Sequence, residues 1–183
     1  ISDSFKSAKK MVSESKKYNV RIMEGFMFRF HPSIKKVSDL LNKKTIGEVF
    51  SFQSRYGFPS ISKKNIRYQK KIGGGILNDA GCYPICASKI IFGKIPKSVF
   101  CNLVIDKESN VDVKASILLK YSEDMVANMV VGYGLGYQSK YRIWGEKGLI
   151  QLSRAYNIPA KMQPKIKLEF QNKEKEMTLK PAN

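Results

Sequence analysis

The feature that most constrains the fold is a succession of strand-like segments in the second half of the chain. Five segments alternate apolar and polar positions or are rich in β-branched and aromatic residues: 97–105, 111–121, 125–133, 139–144 and 148–153. Short polar turns, such as Ser122–Asp124 and Gly145–Gly148, separate neighbouring segments and are typical of hairpins, which join antiparallel strands. Weaker strands are predicted at 165–170 and 175–179. The second half is therefore expected to form a sheet of mostly antiparallel strands.

The first half of the chain predicts helices instead. Residues 4–18 place one set of small and apolar side chains on a helical stripe opposite lysines: Phe5, Ala8, Met11, Val12 and Ser15. A second helix is expected to begin at Pro32, and its apolar face holds Ile34, Val37, Leu40 and Leu41. A third opens at Gly73–Gly75, runs to Phe92 and stops at Gly93. Pro84 either lies in the first turn of that third helix or kinks it.

Two further strands are predicted between the helices, at Val20–Phe28 and Val49–Phe58, and residues 60–72 are expected to form an irregular loop. Helices combined with a run of consecutive strands indicate an α+β fold, an open, mostly antiparallel sheet with helices on one face. A chain of 183 residues fits one such domain, with at most a fragment of another. Because it opens on I-S-D-S-F inside a predicted helix, we expect it to begin within a longer protein.

Composition narrows the class of protein. The hydrophobic content of 43% is ordinary for a globular domain, and the apolar runs fall short of the roughly 18 residues that cross a membrane. We therefore expect a protein with no membrane partner. The three cysteines, Cys82, Cys86 and Cys101, and the single histidine, His31, lack metal-ligand spacing. They predict reduced thiols, a cytoplasmic location and no bound metal.

The formal charge of +18 has several interpretations. Most of the 33 basic residues are lysines spread along the chain, whereas recognition of phosphates and bases favours the planar arginine fork. The interpretation that we favour is a solvated lysine surface with no nucleic-acid partner. An anionic small substrate and a polyanion-binding domain are the alternatives.

Two glycine clusters are candidate ligand loops. Gly132–Gly136 lacks the third glycine of the G-x-G-x-x-G fingerprint and precedes a predicted strand, whereas that fingerprint needs a helix N-terminus to hold pyrophosphate. We therefore do not expect it to bind a dinucleotide. Gly73–Gly75 either lets a ligand approach the backbone closely or allows a tight turn into the third helix.

Three other residues are candidates for chemistry. Asp79 and Tyr83 are four residues apart and share one face if the segment is helical. A phenol beside a carboxylate can relay a proton; equally, the tyrosine can be a core residue and the aspartate a helix cap. His31, before Pro32, either binds a hydroxyl group or ends a strand.

Taken together, several segments resemble the glucose–fructose oxidoreductase/inositol dehydrogenase/MocA family in order and spacing. Residues 23–32, M-E-G-F-M-F-R-F-H-P, are similar to its E-A-F-M-Y-R-F-H-P segment. The other similar segments are I-G-E-V at 46–49, F-P at 58–59, N-I-R at 65–67, G-G-G-I-L-N-D-A-G-C-Y-P at 73–84 and G-E-K-G at 145–148. The nearest branch contains dimeric dihydrodiol dehydrogenase and NADP-dependent xylose dehydrogenase.

This resemblance implies the C-terminal domain of a two-domain NAD(P)-dependent oxidoreductase acting on a sugar, a sugar derivative or a related cyclic alcohol. Residues 1–28 would be the last helix and strand of the Rossmann domain. Residues 29–183 would form a substrate-binding and dimerisation domain that lacks the family's closing helix. The glycine fingerprint and the family's E-K-P lysine would precede Ile1, so the full-length protein would bind NAD or NADP and this chain would not bind either tightly.

The resemblance also implies roles for individual residues. By motif, Tyr83 matches the acid/base position and Asp79 the position that faces substrate hydroxyls. Arg29, His31 and Arg67 would line the same cleft, and Tyr83 is the one residue here expected to reach the cofactor. The family's sheet face commonly makes a homodimer. A non-catalytic dimerisation or sensor module is the main alternative, and a basic polyanion-binding domain the next.

Overall fold

An eight-stranded sheet forms the centre of the computed structural model, which describes residues 2 and 4–182. Its strands are β1 (Val49–Phe58), β2 (Ser98–Ile105), β3 (Asp112–Ser122), β4 (Met125–Tyr133), β5 (Gln138–Gly145), β6 (Gly148–Leu152), β7 (Lys165–Phe170) and β8 (Lys173–Thr178). Their order in the sheet is β2-β3-β4-β1-β5-β6-β7-β8. The β1–β4 pair is parallel and the other neighbouring pairs are antiparallel. The prediction of an α+β fold with an open, mostly antiparallel sheet is therefore confirmed.

The alternation of residue types decides which face of the sheet is covered. Along β3, Ala115, Ile117 and Leu119 are buried, whereas Ser116 and Leu118 between them are exposed. Successive side chains of a strand point to opposite faces, so burying the first set leaves the second in solvent. The same alternation continues through β4 and β5, and it gives the sheet one apolar face and one mixed, open face.

The described helices are α1 (Phe5–Lys17), α2 (Pro32–Asn42) and α3 (Cys82–Phe92). Of these, α3 packs against β1 and β4 of the sheet. Within α3, Ala87 and Ser88 are buried, the Ser88 hydroxyl lies 2.8 Å from the Tyr121 hydroxyl, and the Phe92 ring packs 4.6 Å from the Tyr121 ring. These contacts hold the C-terminal half of α3 against β3. Pro84 falls in the first turn of α3, which directly continues a π-helical turn at Leu77–Gly81, so the helical segment is irregular just before the proline.

One predicted strand does not form. Residues 20–26 have no regular structure, and Met27–Phe30 is a short 3-10 helix rather than the end of a strand. A strand needs a neighbouring strand for its backbone hydrogen bonds, and this segment is not adjacent to any strand of the sheet. Val20, Ile22 and Met23 are exposed in consequence. The adjoining helix α1 forms as expected, but none of its side chains, all of which are described, is buried.

The open face and the β2 edge carry exposed apolar side chains. On the open face these are Phe100, Leu118, Val130 and Trp144. All eight residues of β2 are exposed, including those that point to the helix side. Among the described residues, no helix is both long and apolar enough to cross a membrane.

Candidate functional site

The site begins at the Gly73–Gly75 loop, whose backbone N–H groups all donate hydrogen bonds to nearby backbone carbonyls. The N–H groups of Gly73, Gly74 and Gly75 donate to the carbonyls of Lys70, Gln69 and Arg67 at 3.1, 3.1 and 2.9 Å. A loop that binds an anion turns its N–H groups toward the ligand, and these three point into the turn. The three glycines therefore build a tight turn rather than an anion-binding loop, and they also line a small cavity of about 150 Å³ with Arg67 and Asp79, where a ligand can approach the backbone.

Gly75 also makes room for an aspartate from the sheet. Its φ is +125°, which L side chains rarely adopt, and a Cβ there would lie 2.2 Å from Asp112 Oδ1. The Asp112 carboxylate accepts a hydrogen bond from the Leu77 N–H at 2.7 Å. An acceptor at the first turn satisfies an N–H group that has no partner within the helix. Asp112 therefore sets where the helical segment begins.

That segment opens with a π-helical turn, Leu77–Gly81, and continues as α3. Short π-helical turns are uncommon and occur often at functional sites, because the wider turn changes the direction of side chains. Asp79 lies in this turn and Tyr83 in the first turn of α3. Both side chains line one cavity, as their spacing predicts.

The Asp79 carboxylate is held from two sides. Arg67 Nε donates to Asp79 Oδ2 at 2.7 Å, and the Tyr133 hydroxyl donates to the same oxygen at 3.2 Å. The hydrogen bond to Asp79 raises the pKa of Arg67. Burial, followed by the Asp79 charge, raises the pKa of Tyr133 and keeps its phenol protonated as a donor. Neither bond uses Asp79 Oδ1, so that oxygen can accept a hydrogen bond from a ligand.

Tyr83 sits in an aromatic cluster. Its ring centroid lies 5.0 Å from Phe26, 6.0 Å from Phe28 and 5.4 Å from Tyr56. Burial raises the pKa of Tyr83, and nearby negative groups that include Asp79 raise it further, while Arg67 opposes them. The phenol is thus protonated at neutral pH. The packed rings fix its orientation, and Asp79 bonds to Arg67 and Tyr133 rather than to Tyr83.

The cavity that Asp79 and Tyr83 share has a volume of about 290 Å³. Its other lining residues include Glu24, Gly25, Phe26, Asn78 and Cys82. The Cys82 thiol bonds to the Asn78 carbonyl at 3.1 Å, and burial raises its pKa to about 11, so it is not a nucleophile. A carboxylate acceptor and a phenol facing one small polar cavity suit a ligand that carries several hydroxyl groups.

The remaining predicted residues divide between this site and another cavity. Arg67 belongs here through its bond to Asp79. His31 instead caps α2, where its Nδ1 accepts from the Ser33 N–H at 3.1 Å. It lines a separate, mainly apolar cavity of about 280 Å³ beside Phe28 and Tyr156. Burial lowers the pKa of His31, and its buried Nε2 has no hydrogen-bond partner in the described structure. Arg29 is exposed on the 3-10 helix, close enough for its charge to act on Cys86.

Two residues of the site, Tyr133 and Asp112, were not predicted from the sequence. Tyr133 lies within Gly132–Gly136, which joins β4 to β5 and, as predicted, does not precede a helix. Asp112 occurs where the β2–β3 register shifts, so its carboxylate departs from the regular alternation of its strand. Both act on residues more than 30 positions away, and no local pattern marks them. Among the described residues, no three His, Cys, Asp or Glu side chains are grouped as a metal site requires.

Comparisons with known proteins agree with this architecture. Residues 34–151 match the family model of the GFO/IDH/MocA C-terminal domain. A dTDP-3,4-didehydro-2,6-dideoxy-α-D-glucose 3-reductase of Actinomadura kijaniata is 31% identical over 96% of this chain and 53% of its own length. A trans-1,2-dihydrobenzene-1,2-diol dehydrogenase of Xenopus tropicalis is 31% identical over 94% of this chain and 52% of its own length.

Solved structures show the same similarity. A 3-ketoreductase from Actinomadura kijaniata, in complex with NADP and TDP-benzene, superposes with a TM-score of 0.89 at 29% identity. The match covers 96% of this chain and 54% of that one. This chain thus spans about half the length of the proteins it matches. Because the family model matches more than half of the chain, the chain belongs to the GFO/IDH/MocA C-terminal domain family.

Proposed function

We propose that this chain is the substrate-binding half of an NAD(P)-dependent oxidoreductase acting on a sugar, a sugar derivative or a related cyclic alcohol. The observation that carries the proposal is the shared cavity of Asp79 and Tyr83, in which a hydroxyl acceptor and a proton donor face the same space. The relatives named as a sugar 3-reductase and a dihydrodiol dehydrogenase support this class of substrate. Residues 1–28 are proposed to belong with the nucleotide-binding half, in keeping with the exposed side chains of α1.

Neither glycine cluster of this chain suits a dinucleotide. The Gly73–Gly75 N–H groups are already bonded, and Gly132–Gly136 leads into a strand. In this proposal a second domain holds the cofactor, which supplies or accepts the hydride. The residues of this chain then handle the substrate's hydroxyl groups and its proton.

Asp79 and Tyr83 divide those tasks. Asp79 Oδ1 accepts a hydrogen bond from a substrate hydroxyl, while Arg67 and Tyr133 fix the carboxylate through Oδ2. Tyr83 exchanges a proton with the oxygen of the reacting carbon. Its raised pKa suits the protonated phenol to donating that proton during reduction of a carbonyl. To act as a base near neutral pH it would need an added positive charge, which lowers the pKa of a phenol. Arg29 and His31 stay predicted as substrate-binding residues, although Arg29 is exposed and His31 lines a cavity separate from that of Asp79 and Tyr83.

The isolated chain is expected to bind neither NADH nor NADPH tightly. Dinucleotide affinity in a Rossmann enzyme comes from a glycine turn, a helix N-terminus at the pyrophosphate and an acid at the ribose, and the described residues offer none of these together. Calorimetric titration of the chain with each dinucleotide measures this. A two-domain form of the protein is the positive control, and one-to-one binding at micromolar concentration to the isolated chain would contradict the proposal.

We further propose a cytoplasmic homodimer formed through the open face of the sheet. The three cysteines are unpaired, as expected in a reducing compartment. Phe100 and Trp144 on the open face are 69% and 55% exposed, which is unfavourable for a monomer. The same exposed residues would also suit a non-catalytic dimerisation module. Measured turnover by the two-domain form of the protein would exclude that alternative.

Replacing Leu118 by glutamate is expected to raise the dimer dissociation constant at least about tenfold, since it places an unpaired charge in the interface. Leu118 is 40% exposed on the open face. Val99→Glu is the matched control, because Val99 lies opposite Leu119 on the helix side of β2. Light scattering across a concentration series measures both. A monomeric mass for the unmodified chain at high micromolar concentration would refute the dimer.

A further inference from the structure

The loop at residues 59–72, which follows β1 and is called the β1 loop below, supports the Asp79 carboxylate in two ways. It carries Arg67, whose Nε donates to Asp79 Oδ2 at 2.7 Å. It also carries Tyr68, whose ring centroid lies 5.6 Å from that of Tyr133, the second donor to the same oxygen. Arg67 and Tyr68 are consecutive residues of one 3-10 turn. The support of Asp79 therefore depends on where this turn lies.

The first half of the β1 loop has one hydrogen bond to another part of the described structure. The other hydrogen bonds of residues 59–66 run within the loop itself. The exception is Lys63, whose ammonium group bonds to the Asp106 carboxylate in the connection between β2 and β3. The same ammonium group lies over the Tyr68 ring, 4.7 Å from its centroid, in a cation–π contact. Lys63 thus links the 3-10 turn to the β2–β3 connection.

The Asp106 end of this link is itself held in place. Its Oδ2 accepts hydrogen bonds from the backbone N–H and the hydroxyl of Ser109 at 3.0 and 2.6 Å, while Lys63 bonds to Oδ1. Glu108 lies 3.9 Å from the Lys63 ammonium group. The bonds from Lys63 and Ser109 lower the pKa of Asp106, so its carboxylate is charged at neutral pH. An isolated surface ion pair contributes little, whereas a network of several charges holds its members more firmly.

We infer that Lys63 is a positioning residue for the candidate site. By binding Asp106, it holds the 3-10 turn in the place from which Arg67 bonds to Asp79. Lys63 is not among the described residues that line either cavity beside Asp79, so it acts through the β1 loop. The effect on substrate rests on the proposed function, in which Asp79 binds a substrate hydroxyl. Tyr83 makes none of these contacts, so losing Lys63 should weaken substrate binding and spare the proton transfer.

Lys63→Met in the 183-residue chain tests the link without any substrate. The variant keeps an unbranched side chain and removes the charge. Hydrogen exchange followed by NMR is expected to be at least about threefold faster at the N–H groups of Tyr68 and Gln69, which donate to carbonyls of the 3-10 turn at 3.0 and 2.9 Å. Arg67 Nε–H, which its bond to Asp79 protects, should exchange faster too, whereas the α3 amides should keep their rates.

Lys64→Met is the matched control, because it removes the same charge at the next position and the ion pairs of the described residues do not include Lys64. Asp106→Asn should reproduce the effect of Lys63→Met, and the double variant should add little to either, as expected of one interacting pair. Unchanged exchange in Lys63→Met would show that other contacts hold the turn. Equal acceleration in Lys64→Met would show a general effect of charge. Either result overturns the inference.

Kinetics of the two-domain protein test the consequence for substrate, with the best substrate from a panel of aldoses. Lys63→Met is expected to raise KM about three- to tenfold and to change kcat less than about twofold. An unchanged KM would overturn the inference, because Asp79 would then bind substrate equally well without the link. If the unmodified two-domain protein turns over no sugar or cyclic alcohol, the proposed function fails. The exchange of Arg67 Nε–H still decides in that case whether Lys63 positions Arg67.

Discussion

Replacing Tyr83 by phenylalanine in the two-domain protein is expected to lower turnover by about 10²-fold or more. The change removes the proton donor while the packing of the ring against Phe26 and Tyr56 is kept. General acid–base groups typically contribute 10²–10⁴-fold, and losing one lowers kcat rather than cofactor affinity. Steady-state kinetics with the identified substrate measure the effect, and calorimetry measures cofactor binding to the same variant.

Asp79→Asn in the same protein provides the comparison. The amide keeps the shape of the side chain but removes the charge that Arg67 neutralises and that accepts the hydrogen bond of the Tyr133 hydroxyl. This variant should mainly raise KM, since Asp79 is proposed to bind a substrate hydroxyl. Near-normal turnover of Tyr83→Phe under conditions where chemistry limits the rate would show that the proton passes through another group.

Gly75→Ala is expected to destabilise the chain by about 2–4 kcal/mol. An L residue at φ +125° is strained by about 1–3 kcal/mol, and the new Cβ would lie 2.2 Å from Asp112 Oδ1. The carboxylate must move, which weakens its bond to the Leu77 N–H; hydrogen bonds to charged groups contribute about 1.5–3 kcal/mol. Urea denaturation of the 183-residue chain measures the free energy of unfolding.

Gly136→Ala is the control for backbone and loop effects. A Cβ at Gly136 would meet nothing within 4 Å, and its φ is outside the left-handed range. Its unfolding free energy should stay within about 0.5 kcal/mol of the parent value. Equal stability of the two variants would show that the loop adapts, and that Asp112 does not fix the start of the helical segment.

The sequence predicted most strands and helices because their signals are local. The alternation in β3 and the glycine that ends α3 act within a few residues of the structure they specify. The position of β1 between β4 and β5 has no such signal, because parallel pairing depends on segments far apart in the chain. The predicted strand at Val20–Phe28 failed for the related reason that its pattern cannot show whether a neighbouring strand exists.

In the candidate site, too, the sequence predicted only the residues that a local pattern marks. Asp79 and Tyr83 share a short spacing and a recognisable motif, and they line one cavity as expected. Tyr133 and Asp112 reach the site from β4 and β3, and only the packing of α3 on the sheet shows that they do. The sequence likewise could not show that His31 lines a different cavity from Asp79 and Tyr83, because this depends on the path of the backbone through Met27–Phe30.

The parallel β1–β4 pair imposes an order on folding during synthesis. β1 ends at Phe58, but both of its neighbours, β4 and β5, lie between residues 125 and 145. At a typical elongation rate of about 5–20 residues per second, β1 waits roughly 4–15 s before either partner has been made. Throughout that interval Phe52, which is fully buried in the folded chain, is exposed to other nascent chains. Non-local strand pairing of this kind folds slowly, so the yield of soluble protein should depend on chaperones that shield early segments.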